Sequence, residues 1–161
     1  MRPLLLLLLI LPNLAACGYQ MRGSASHVAT SLSSVSVRAA RANVVATQVR
    51  SQLQLSGVEL QNIDSDYILS IETEVFDQSV LTVSAITGNI EEMQLTLQVR
   101  ISAAKRNADT LFNNEMITVV RDYAYDESAV LGNDNEETAI RQDMARQAAS
   151  RIIRRLNAAS I

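Results

Sequence analysis

The chain has one cysteine, one histidine and no tryptophan among its 161 residues. A single cysteine, Cys17, excludes an intramolecular disulfide, so an exported chain that carries it needs another use for the thiol. With His27 as the only imidazole, hydrolysis by a His-based metal site or by a nucleophile–His pair lacks its usual parts. No Gly-x-Ser-x-Gly, phosphate-binding glycine loop or zinc spacing is present. Aromatic residues make up 4%, which leaves Val, Ile, Leu, Met and Ala to build the core. The net charge is −3, too far from basic for nucleic acid to be the expected partner. An anionic ligand requires a local cluster of cations. The acidic groups gather at Asp122, Asp126 and Glu127, with Asp134, Glu136 and Glu137 further on. Their spacing matches no calcium loop, and a solvated turn followed by helix capping accounts for them.

The start of the chain has a distinct composition. Met1-Arg2 is a short positive region, and residues 4–11 are an unbroken apolar run. That run is too short for a permanent membrane helix and has the length of an export-signal core. Pro12-Asn13 interrupts it, and Leu14-Ala15-Ala16-Cys17 follows. These four residues resemble the bacterial lipobox. The resemblance implies cleavage before Cys17, an S-diacylglycerol on its thiol and an acyl chain on the new amine. Several acyl chains give stable anchoring where one gives marginal binding. Gly18 stands where an Asp would matter for sorting, which by analogy implies delivery to the outer membrane. No other cofactor and no metal is expected. The expected division is a signal over residues 1–16, a lipidated tether over 17–31 and one α+β domain over 32–161.

Within that domain the hydrophobic period alternates between two values. A short strand is expected at 32–38, through Leu32, Val35 and Val37. Residues 39–55 read as a helix with the stripe Ala42, Val45, Val49 and Leu53. Gly57 is placed to close it in the left-handed conformation, with Val58 folding back on Leu53. Residues 67–83 alternate as a strand. Tyr67, Leu69, Ile71, Thr73 and Val75 are expected on one face, with Ile68, Ser70, Glu72, Glu74 and Phe76 on the other. Thr87-Gly88-Asn89 marks a turn. Met93, Leu95, Leu97, Val99 and Ile101 then alternate with Gln94, Thr96, Gln98, Arg100 and Ser102, a strand with one buried and one wet face. A polar turn at 105–109 leads to a strand over 110–123. A final helix opens near 133–137, capped by Asn133 or Asp134, and carries Ile140, Met144, Ala148, Ile152 and Leu156 at four-residue spacing. Arg151, Arg154 and Arg155 are expected to complement its dipole. The expected fold is α+β, order β-α-β-β-β-α, with two helices on one face of a mainly antiparallel sheet of about four strands.

Several stretches resemble one family. Cys17-Gly18-Tyr19-Gln20-Met21-Arg22-Gly23 is similar to the start of the lipopolysaccharide-assembly lipoproteins, the LptE family. Gln52-Leu53-Gln54-Leu55-Ser56-Gly57-Val58-Glu59-Leu60 resembles the end of that family's first helix. Arg121-Asp122-Tyr123-Ala124-Tyr125-Asp126, followed by Leu131-Gly132-Asn133-Asp134-Asn135-Glu136, resembles the approach to its last helix. Gln142-Asp143-Met144 and Arg154-Arg155-Leu156 lie along that helix in the same order. The resemblance implies two helices on a four-stranded sheet and a non-catalytic lipoprotein in the outer membrane. It also implies that the domain plugs the large β-barrel LptD, aids its assembly and binds lipopolysaccharide. Arg22, Arg38, Arg41, Arg50, Arg100, Lys105 and Arg106 are the cations available for lipid A phosphates, with Lys105, Arg106 and Arg100 the leading candidates. Relatives carry basic residues near the hairpin and before Asp-Asn-Glu, where this chain has Ile86 and Asn133. Two other readings stand beside this one: a lipoprotein facing the periplasm that binds another envelope ligand, and an envelope hydrolase using Asp122, Asp126 and Glu127.

Overall fold

The computed structural model describes residues 32–161 except 40–42, 108, 127 and 129, together with the backbone alone at 130–132. The expected signal over residues 1–16, the expected tether over 17–31 and Cys17 therefore lie outside the described residues. In chain order the elements are β1 (Ser34–Ala39), α1 (Val44–Leu55), β2 (Glu59–Leu60), β3 (Tyr67–Val83), β4 (Ile90–Lys105), β5 (Thr110–Ala124) and α2 (Val130–Ser160). The strands form one sheet in the order β2-β1-β3-β4-β5. The helices cover one face, α1 over β1 and β2, α2 over β4 and β5, and pack against each other.

The α+β class and the helix-roofed sheet are as expected; the sheet itself differs. It has five strands and is mixed. β3, β4 and β5 form an antiparallel meander, whereas β1 runs parallel to both β3 and β2. Parallel neighbours need a crossover, and α1 supplies it between β1 and β3. β2 escapes notice in the sequence because two residues carry no periodicity.

Helix α1 is shorter than its pattern suggests, because β1 extends to Ala39 and the helix starts only at Val44. Ala42 lies outside the described residues. Asn43 caps the first turn, its Oδ1 accepting from the Ala46 N–H at 2.6 Å. At the other end Gly57 takes φ +79. The Val58 N–H donates to the Leu53 carbonyl and the Gly57 N–H to the Gln54 carbonyl, both at 3.0 Å. That is a Schellman closure, and Val58 is buried beside Leu53.

A β-bulge changes which face of β3 is buried. Ile71 pairs with Ile101 but Thr73 pairs with Arg100, so Glu72 is an extra residue. Before it, Leu69 and Ile71 point under the helices; after it, Glu74 and Phe76 do. The expected face of Tyr67, Leu69, Ile71, Thr73 and Val75 is therefore split, with Thr73 and Val75 outside. The shift places the Glu74 carboxylate at the start of α1. It accepts from the Val44 and Val45 N–H groups at 3.3 and 3.0 Å. No acidic residue lies in the first turn of α1, so a strand supplies the negative charge that helix N-termini favour.

Strand β4 buries Leu95, Leu97, Val99 and Ile101 as its alternation predicts. Met144, Ala148, Ile152 and Leu156 of α2 are likewise fully buried, with Ile140 packed at the margin of the core. The helix begins at Val130, ahead of both expected caps. Asn133 instead clamps the approach to it, donating to the Asp126 carbonyl at 2.6 Å and accepting from the Asp126 N–H at 3.3 Å. The late arginines are not dipole partners either. Arg155 makes a two-pronged pair with Glu115 at 2.6 and 2.8 Å and lies over the Phe112 ring. Arg151 donates to the Thr118 carbonyl at 2.6 Å, which covers part of the exposed edge of β5.

Candidate functional site

The sheet face away from the helices is open. On β4 it is polar: Gln94, Thr96, Gln98, Arg100 and Ser102. Its flanks expose Val75 on β3, and Met116 and Val120 on β5. Beyond the helices, the β3–β4 hairpin exposes Val80, Leu81, Val83 and Ile86.

A groove of about 430 Å³ opens at the other end of this sheet, beside the β4–β5 turn. Its shape follows from register. Arg38, Ser70 and Ser102 stand side by side on β1, β3 and β4, and Ile68, Ala104 and Thr110 form the next row on β3, β4 and β5. Small residues at the centre leave a depression between longer neighbours. Ala103, Lys105, Arg106, Phe112 and Asn113 complete its lining.

Of the leading cations, the structure brings Lys105 and Arg106 together here with Arg38. Arg106 is braced from within: its Nε donates to the Ser65 carbonyl at 3.2 Å, and its outer nitrogens lie 4.0 Å from Asp64 and 3.6 Å from Asp66. Arg100 lies on the same face one alternation beyond Ser102, outside the groove, with its Nε buried and unpartnered. Arg50 holds the fold, donating to the Val37 carbonyl at 3.0 Å. Arg22 and Arg41 lie outside the described residues, as does His27. Ile86 and Asn133 lie at the opposite end. Ile86 is 95% exposed at the hairpin turn, and Asn133 is 7% exposed in its clamp.

Asp66 ties the groove end together, which sequence spacing did not reveal. It accepts from the hydroxyls of Ser33 and Ser34, and its backbone carbonyl accepts from the Arg106 N–H at 2.9 Å. The Ser33 and Ser34 hydrogen bonds, followed by the Arg106 charge, hold its carboxyl below the ordinary 3.8. A carboxylate with a depressed folded pKa stabilises above the unfolded pKa and loses that contribution as pH falls through the folded one. Asp66→Asn is therefore expected to lower the urea midpoint at pH 7, and the gap from wild type should close as pH drops below 3.8. An equal gap at pH 7 and in acid contradicts this role.

Of the acidic residues suggested for hydrolysis, Asp122 accepts from Gln94 at 2.9 Å and Asp126 folds onto Ser128, while Glu127 lies outside the described residues. Further on, Glu137 pairs with Arg141 at 2.6 Å. Among the described residues no three His, Cys, Asp or Glu lie close enough to hold a metal. A second polar knot, also missed in the sequence, joins β3, β5 and α2. Gln78 bridges Tyr123 Oη at 2.6 Å and Glu137 at 3.2 Å, while Arg141 lies 4.8 Å above Phe76. Burial, with the Glu137 charge behind it, pushes the Tyr123 hydroxyl above 10.0, so it stays neutral.

Fold and site together define a two-helix, five-stranded α+β domain with an open sheet face and a cationic groove. The sequence model of the LptE family, described as lipopolysaccharide-assembly, matches residues 32–156, and the chain belongs to that family. Solved structures share the fold. Rare lipoprotein B from Shewanella oneidensis superposes with a TM-score of 0.70 at 24% identity, covering 79% of this chain and 96% of that one. Lipoprotein B from Nitrosomonas europaea gives 0.70 at 19% identity, over 88% and 91%. A minor lipoprotein from Acinetobacter baumannii gives 0.65 at 23% identity, over 79% and 92%.

Proposed function

We propose that this chain is a non-catalytic lipopolysaccharide-assembly lipoprotein of the outer membrane. It is anchored by acyl chains on Cys17, docks as a plug inside its β-barrel partner LptD and helps that barrel assemble. The family match over residues 32–156 carries the reading. The open face supports it physically. A wall of Gln, Thr and Ser flanked by Val75, Met116 and Val120 suits a lumen that is wet yet lined by packed side chains. Lipopolysaccharide binding through Lys105, Arg106 and Arg100 belongs to the same reading, with Lys105 and Arg106 in the groove and Arg100 outside it on the same sheet face. Depleting the protein tests the assembly role: the barrel is expected to accumulate misfolded, and normal barrel assembly after depletion contradicts it.

A further inference from the structure

The two edges of the sheet are finished differently. At one edge β2 is only 2 residues long, which blunts it. At the other, β5 runs for 15 residues with no proline and no lysine, and it pairs with β4 residue for residue from Glu115 to Ala124. Its irregularity is confined to the start, where Asn114 takes φ +57. A long, flat edge is a template for pairing unless charges stand guard on it. The charges of β5 turn elsewhere: Glu115 to Arg155, Arg121 to Asp143 and Asp122 to Gln94. The Thr118 carbonyl points out of the sheet, where it accepts from Arg151. By the strand's period of two, the backbone N–H and C=O groups of Met116, Val120 and Asp122 point out with it.

We propose that the β5 edge accepts an extended strand from a partner protein. The incoming strand places apolar side chains beside Met116 and Val120 on the open face and carboxylates beside Arg121 and Arg151 on the helix side. In strand addition, main-chain hydrogen bonds supply affinity and alternate side chains supply specificity. Met116 and Val120 are 46% and 44% exposed, so the apolar side has surface to cover. Charge sets the other side. Arg121 and Arg146 share one carboxylate, Asp143, and Arg151 faces only a carbonyl. α2 carries no acidic residue after Asp143, while Arg146, Arg151, Arg154 and Arg155 follow it. An arriving N–H takes over the Thr118 carbonyl and releases Arg151 to pair with a carboxylate. A second copy of this chain is the poorer occupant. Two-fold antiparallel pairing along this edge puts both α2 helices on the same side of the joined sheet and turns their arginines toward each other. Nothing in this edge requires that the partner be the barrel.

The test uses the full chain purified in detergent, a short peptide of alternating Val and Glu, and a Val/Lys peptide of equal length. Amide hydrogen exchange is read residue by residue. The Val/Glu peptide is expected to protect the amides of Met116, Thr118, Val120 and Asp122. Those of Ile117, Val119 and Arg121 turn toward β4 and exchange slowly already, so the added protection should alternate along the strand. The Val/Lys peptide should bind about tenfold more weakly or worse. Arg151→Gln should weaken Val/Glu binding about tenfold and narrow its lead over Val/Lys, as loss of a charge-assisted bond does. Arg154→Gln should change neither. Thr118→Pro removes an outward N–H and no bond to β4, so it should abolish binding with the melting temperature near that of wild type. Arg151→Gln, a surface change, carries the test whether or not Thr118→Pro folds. The proposal is overturned if the Val/Glu peptide gives no alternating protection, if the Val/Lys peptide binds equally well, or if Arg151→Gln binds Val/Glu like wild type. Self-association in sedimentation, with the same amides already protected, would give the edge to a second copy and overturn it. Displacement of the Val/Glu peptide by phosphatidylglycerol vesicles would assign the arginines to lipid and overturn it as well.

Discussion

Leu97→Asp is expected to unfold the domain. Leu97 is 0% exposed, in the middle strand of the meander, flanked by Phe76 on β3 and Val119 on β5 beneath the helices. The substitution removes about 1.5–3 kcal/mol of apolar burial. It also places a carboxylate among side chains that offer no cation, at several kcal/mol more after relaxation. Domains of this size are stable by about 5–15 kcal/mol, so the combined loss removes most of the margin. Gln98→Asp, one residue on and facing away from the helices between Val75 and Thr118, provides the comparison. Its effect should stay within about 0.5 kcal/mol, as surface substitutions usually do. Melting followed by circular dichroism should show no cooperative transition for Leu97→Asp and a near-normal one for Gln98→Asp. Equal melting temperatures for the two variants would mean the faces of β4 are assigned backwards.

Cys17→Ala is expected to abolish anchoring while leaving the fold intact. Under the proposed function the thiol is the acceptor for a diacylglycerol, and processing of the resembled lipobox depends on that transfer. Each buried CH₂ of an acyl chain adds about 0.8 kcal/mol of membrane affinity, so losing every chain removes stable attachment. Metabolic labelling with a fatty acid should mark the wild type and not the variant, and the variant should leave the membrane fraction. Undiminished labelling and sedimentation of Cys17→Ala would refute lipidation at this residue. Because β1 starts at Ser34, well past the cysteine, the melting temperature should not move.

The parts of this fold legible in the sequence are those where one period persists. Met93 to Ile101 alternates without a break, and four of its five apolar residues are fully buried. The four-residue stripe from Ile140 to Leu156 and the Gly57 closure follow equally from local rules. What was hidden depends on partners distant in the chain. The bulge at Glu72 follows no glycine or proline; it appears only when β3 is paired with β4. Glu74 then reads as a surface charge until the uncapped amides of α1, thirty residues earlier, are brought to it. The absence of any acidic residue in that first helical turn was the available signal. The partners of Arg106 were hidden because Asp64 and Asp66 lie some forty positions back, at the far end of the β3–β4 hairpin. The groove arises from Arg38, Ser70 and Ser102, one residue from each of three strands, a juxtaposition set by register and not by any contiguous motif.

Affinity capture from detergent-solubilised outer membranes, followed by mass spectrometry, tests the central claim most directly. A tagged, acylated chain should bring down one large β-barrel in near-equal amount, and the pair should survive extensive washing. Recovery of the chain alone, or with soluble periplasmic proteins in place of a barrel, would contradict the plug.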